Sequence, residues 1–309
     1  METEEILAWE RKWRVLAAGA ASLAAIAPIV ALFPVAGITA PKHDNDLLDL
    51  YRINGHRSSL LTSTIVSAIG LIAASVVLYY LYRAVRARKP DPVSPAIGAL
   101  SIVGPILAAV TTIVAGYFQV KGSHTFVSSM PRRNAPQTLQ FLSTASQQQI
   151  ATATHYIKDA SQFQVAGYVG PAGLLVFAFA LVLVSLNAMR VGLVTRLIGI
   201  VGIVLAVAQV FPLFPPYVLQ LFFFGALTFF FLGRWPNGLP PAWETGTAQP
   251  WPSRQAMAEQ RVRQRRGDPE PEPESEPEQE EERVPAGVDA ALGRPQHPSS
   301  KKRKRKRRR

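Results

Sequence analysis

Long apolar runs separated by short charged clusters dominate the first 233 residues, and no other feature restricts the fold as much. A backbone inside a bilayer must satisfy its own N–H and C=O groups, so a run of ~20 apolar residues that crosses ~30 Å of hydrocarbon does so as a helix. Six runs qualify or come close: 15–39, 59–82, 95–118, 165–188, 197–213 and 217–233. The first four reach the required length. The last two are shorter and meet at Pro215-Pro216, so they either cross as minimal spans or dip in and return. The runs are continuous rather than alternating, which argues against barrel strands. The predicted fold is all-α: a polytopic six-helix transmembrane bundle with a disordered cytoplasmic tail. Its parts are an N-terminal cytoplasmic segment (1–14), a bundle (15–233) with outer loops 40–58 and 119–164, and a tail (234–309).

Charge supports that division. The chain is 48% hydrophobic and 17% charged, below the roughly 25% charge of soluble domains. Residues 234–309 hold 17 of the 33 Lys+Arg and 12 of the 21 Asp+Glu. Arg11, Lys12 and Arg14 precede the first run as they would a secretory signal, but its length and Pro41 after Thr39-Ala40 favour a retained helix. Arg83, Arg86, Arg88, Lys89, Arg190, Arg196 and Arg234 crowd the same side as Arg11, Lys12 and Arg14. The other side carries Lys42, Arg52, Arg57, Lys121, Arg132, Arg133 and Lys158, farther from the span ends or offset by acids. Lys and Arg beside span ends mark the cytoplasmic face, so both termini are expected there. The absence of cysteine makes the loops indifferent to redox compartment, and the absence of Asn-x-Ser/Thr fits a bacterial inner membrane at least as well as a eukaryotic one.

The outer loops carry helical patterns. Leu139, Leu142, Ile150, Ala153, Ile157 and Ala160 recur mostly at three, four or seven, as on one helix face; Leu47, Leu50, Tyr51 and Ile53 suggest a shorter helix. Packing onto the bundle is the expected role of both. His43, His56, His124 and His155 also lie in these loops, the last one turn from Asp159, but no compact ligand spacing appears and no metal is expected.

None of the six runs contains Asp, Glu, Lys, Arg or His, although proton relays, voltage sensors and intramembrane proteases need such groups. Nor does the chain contain His-Glu-x-x-His, Gly-x-Ser-x-Gly or a phosphate-cradling Gly-x-x-x-x-Gly-Lys. No catalytic residue and no cofactor is therefore expected, and the chain is read as a non-enzyme. Gln209 and Gln220, flanking the proline turn, are the candidate polar groups of a solute path; interhelical hydrogen bonding is the plainer role. Gly104-Pro105 and Gly170-Pro171 are candidate kinks, or bends tolerated by their neighbours.

Three tryptophans in the tail, Trp235, Trp243 and Trp251, recur every eight residues within a proline-rich segment. Indole favours the headgroup region, so the segment reads as an interfacial strap or as a peptide docked on the bundle or on a partner. Residues 256–266 suit a short basic helix, and 268–282 form an acidic, proline-rich run that cannot build a core. The chain ends on nine cations: Lys301, Lys302, Arg303, Lys304, Arg305, Lys306, Arg307, Arg308 and Arg309. Such a block binds anionic lipid, nucleic acid or a ribosome through charge alone, or a protein partner, or merely holds the tail in the cytoplasm.

The endings Leu78-Tyr79-Tyr80-Leu81-Tyr82-Arg83 and Arg196-Leu197-Ile198-Gly199-Ile200, with the long outer loop between spans three and four, carry a resemblance. Over about 15–232 the layout resembles uncharacterised six-helix bacterial integral membrane proteins grouped as a domain of unknown function. That resemblance implies the bundle and no activity. Two roles remain open at this level. One is a non-enzymatic scaffold or assembly factor whose basic tail engages an anionic surface of the lipid bilayer or of nucleic acid. The other is a carrier or channel for a small neutral or apolar solute.

Overall fold

The computed structural model describes residues 3–36, 46–88, 93–130, 147–211, 215–235 and 238–249. The chain divides into two units, 1–253 and 254–309, and every described residue lies in the first. The basic helix, the acidic run, Trp251 and the terminal cations all fall outside the described residues, as does the 137–146 part of the outer-loop stripe.

The described residues are all-helical, with no strand among them. In chain order the helices are α1 (Thr3–Val30), α2 (Asp46–Gly55), α3 (Arg57–Arg88), α4 (Pro95–Ser129), α5 (Gln147–Asp159), α6 (Ser161–Arg190), α7 (Arg196–Val210), α8 (Pro216–Leu232) and α9 (Ala242–Thr245). Four segments are long and apolar enough to cross a membrane: Thr3–Val35, Arg57–Arg88, Pro95–Ser129 and Ser161–Arg190. At ~1.5 Å per residue, α7 and α8 reach only about 22 and 25 Å. Local chemistry sets several ends. Ser94 accepts from the Ala96 N–H ahead of Pro95, Thr195 caps the Ile198 N–H, and Gly233 adopts a left-handed φ of 71° that closes α8.

Several helices run beyond the apolar stretches, two of them by ten residues or more. α1 starts at Thr3 rather than near 15, because the charged stretch ahead of the first run is rich in helix formers and joins it without a break. α4 continues to Ser129, well past 118. Pro28, Pro105 and Pro171 all sit within helices that continue through them.

Small and large apolar residues share the core: Phe177, Phe223, Phe224, Leu78 and Leu181 are buried with the alanines of α1. The α1 face that meets its neighbours is Ala17, Ala18, Ala21, Ala24 and Ala25, while Val15, Phe33, Phe179 and Phe229 are more than half exposed. Helices in lipid associate by close approach of small residues, so the alanine face of α1 and the large apolar groups left exposed suit a bilayer. The most extensive interface joins α4 to α6; α3 packs on α1 and α4, α8 on α1 and α7, and α7 on α6.

A second, smaller cluster forms where α2 and α5 meet the end of α4. Leu47, Leu48, Leu50, Phe126 and Ala153 are buried together, Thr154 donates to Asp46, and the Tyr156 hydroxyl donates to Gly122 O at 3.3 Å. Both loop helices thus pack on the bundle as their periodicity suggests. Burial pushes the Tyr51 phenol above its ordinary value, so it stays protonated at neutral pH.

Candidate functional site

The most heavily determined site lies at the end where α1 begins and α3, α6 and α8 finish. Its centre is a buried ion pair. Glu10 on the second turn of α1 is 4% exposed and Arg88, the last residue of α3, is 8% exposed. The guanidinium meets both carboxylate oxygens: Nη1 donates to Oε1, and Nη2 to Oε2 at 3.0 Å. Its other donors go to backbone carbonyls. Nε and Nη2 reach Ala242 O at 3.0 and 2.8 Å, and Nη1 reaches Ala84 O at 3.1 Å. An arginine has five N–H donors, and five bonds are present. A fully satisfied fork of this kind is what makes a buried cation tolerable.

Ala242 belongs to α9, so Arg88 ties the segment after α8 to the bundle. Aromatic rings complete the attachment. Trp243 donates its indole N–H to Leu193 O at 2.7 Å and lies under the Arg88 guanidinium, 5.3 Å from ring centre. Tyr80 stacks between Trp9 at 5.3 Å and Trp243 at 6.1 Å, meets Phe231 edge-on, and donates its hydroxyl to Glu10 O at 3.2 Å. Trp235 stacks on Phe230 at 4.3 Å. Arg14 donates to the carbonyls of Phe230 and Phe231 in the last turn of α8, where Phe230 O also accepts from the Gly233 N–H. The strap closes on the loop after α6, where Gln249 N–H donates to Val191 O at 3.1 Å.

Gly192 makes that last contact possible. It holds φ at 77°, and a Cβ placed there would stand 2.0 Å from Gln249 O. Gly192→Ala therefore carries both a left-handed backbone penalty and a clash with backbone. It is expected to detach residues 246–249 without unfolding the bundle, seen as faster proteolysis of the strap with unchanged helical circular dichroism. Wild-type protease resistance in the variant would contradict this docking.

The sequence candidates fall in three places. Gln209 and Gln220 come together: Gln209 Nε2 donates to Gln220 Oε1 at 3.3 Å, and Gln220 Nε2 donates to Ala24 O of α1 at 3.2 Å. They join α7, α8 and α1, and Gln220 is buried. Trp235 and Trp243 pack on the bundle's own residues, whereas Trp251 and Lys301 to Arg309 lie outside the described residues. His155 contacts Asp159 across one exposed turn, and among the described residues no three His, Cys, Asp or Glu gather into a metal-binding group.

Sequence reasoning does not mark Glu10, Arg14, Tyr80 and Arg88 as site residues: the two arginines read as orientation charges, Tyr80 as part of an apolar span end, and Glu10 carries no motif. A helical period exposes them. Glu10 follows Ile6 by four and precedes Ala17 by seven, on the buried face of α1; Arg88 follows Ala84 by four and Leu81 by seven. Arg83 and Arg86 fall off that face and are exposed.

Fold and site together define a helical bundle with four helices of membrane-crossing length and a C-terminal strap clamped to one end. No protein-family model, curated protein or solved structure matches this chain.

Proposed function

We propose that this is a six-span bacterial inner-membrane protein with both termini cytoplasmic, acting as a non-enzymatic scaffold or assembly factor whose disordered basic tail engages an anionic surface. The observation that carries the reading is the clamp. Arg88, Glu10, Trp243 and Leu193 fix the strap against the arginine-rich end of the bundle, so the chain leading to the tail starts from a defined point. The bundle's polar groups support it further. Gln209 and Gln220 are engaged with each other and with α1, which leaves the carrier reading without a lining of free polar groups there.

α7 and α8 serve as the fifth and sixth spans, short helices that a locally thinned bilayer accommodates at modest cost. Arg11, Lys12, Arg14, Arg83, Arg86, Arg190, Arg196 and Arg234 then face the cytoplasm. Nine terminal cations add charge attraction of ~1 kcal/mol each at an anionic membrane, and nucleic acid offers the same charge.

Deleting 301–309 is expected to abolish a salt-sensitive association while leaving membrane insertion intact. The measurement is affinity purification from native membranes over a salt series, full-length against deleted chain. Loss of a partner, lipid or nucleic acid with both deletion and salt is expected. Identical co-purification from both chains would overturn the role given to the tail.

A further inference from the structure

The side of the bundle next to the clamp carries a groove that the scaffold reading does not use. It has a volume of ≈ 330 Å³ and runs between α1 and α3, with Ile102 of α4 also lining it. Trp9, Trp13 and Leu16 form one wall; Val76, Tyr79 and Arg83 form the other. Trp13, Leu16, Tyr79 and Ile102 are each more than a third exposed although they line it, so the groove opens sideways rather than toward an interior. From Trp9 to Leu16 it extends about 10 Å along α1 at ~1.5 Å per residue, roughly two-thirds of the depth of one leaflet of a ~30 Å core.

Its two ends differ in chemistry. The deep end is apolar. The mouth is cationic: the Arg83 guanidinium lies 4.7 Å from the centre of the Trp9 ring, and Lys12 sits 5.9 Å from that of Trp13. Arg83 is exposed and pairs with no carboxylate among the described residues, while Glu10 is occupied by Arg88. The cation is thus held in place over an indole with its N–H donors available, the arrangement that suits a phosphate.

We propose that this groove holds one anionic glycerophospholipid, its acyl chain along Trp13, Leu16 and Val76 and its phosphate against Arg83. The inference rests on the bilayer-spanning reading and is independent of the tail. A chain-length apolar slot selects an amphiphile, and an unpaired arginine at the mouth selects the anionic headgroup over a zwitterionic one, whose own cation it repels. The depth of the slot places that phosphate at the membrane surface, where Trp9 and Trp13 also belong.

Two of the five tryptophans line the groove, so fluorescence reads its occupancy. The full chain is placed in phosphatidylcholine nanodiscs containing a small, equal fraction of acyl-brominated phosphatidylglycerol or acyl-brominated phosphatidylcholine. Quenching is expected to favour phosphatidylglycerol about fivefold in effective concentration, what one cation at the surface supplies. Arg83→Gln should remove the preference, deletion of 301–309 should keep it, and Val76→Phe should lower quenching by both lipids. Equal quenching by the two headgroups in wild type would overturn the proposal. So would a preference lost with the tail and kept in Arg83→Gln. Failure of the chain to elute with the disc would instead overturn the bilayer reading along with it.

Discussion

Glu10→Ala is expected to destabilise the bundle by about 3–5 kcal/mol, because it leaves the Arg88 guanidinium buried without a counter-charge. An exposed pair would contribute only about 0–1 kcal/mol, and burial decides between the two outcomes: Glu10 and Arg88 are 4% and 8% exposed. Detergent-solubilised protein unfolded by denaturant and followed by helical circular dichroism measures the difference. A loss under about 1 kcal/mol would mean that water reaches the pair and the clamp is not what the geometry implies. The double variant Glu10→Leu with Arg88→Met separates charge from attachment. Replacing both ions with apolar groups of similar size is often neutral, so helix stability should largely return. The strap should not recover, since Ala242 O loses both of its arginine donors. Trp243 emission reports this second effect, shifting toward that of a hydrated indole in the double variant even where the helices remain stable.

The apolar runs made the helices legible because length and continuity alone decide what crosses hydrocarbon. Four runs appear as helices of spanning length and two as shorter helices. Helix ends were less legible, since the residues before 15 carry charge that counts against a span yet nothing that stops a helix. The candidate site was legible only in part. Tryptophan spacing pointed to a strap, but its docking uses the backbone carbonyls of Leu193 and Ala242, and no side-chain pattern encodes where a carbonyl points. Glu10 and Arg88 were readable in principle. Assigning charges to loops for orientation hid them, whereas asking which charges share a helix face with Ala17 and Leu81 reveals them.

The second large effect concerns the α4–α6 interface, where approach is limited by a single hydrogen. Gly173 of α6 faces Thr111 and Ala108 of α4, and a Cβ added there would stand 1.9 Å from Thr111 Oγ1 and 2.9 Å from Ala108 Cα. Gly173→Val must therefore push the two helices apart, and overpacking of this kind costs about 1–3 kcal/mol, here at the upper end because backbone is involved. The interface is the most extensive in the bundle, and Gly104 meets Val176 O within it, so separation at one point loosens contact along its length. Side-chain and backbone clashes can be told apart. Thr111→Ala added to Gly173→Val removes the hydroxyl contact and leaves Ala108 Cα in the way, so only part of the loss should return. Thermal unfolding in detergent of the two single variants and the double variant tests this. Full recovery in the double variant would place the obstruction in the threonine side chain alone, and an unchanged midpoint in Gly173→Val would mean that α4 and α6 do not approach this closely.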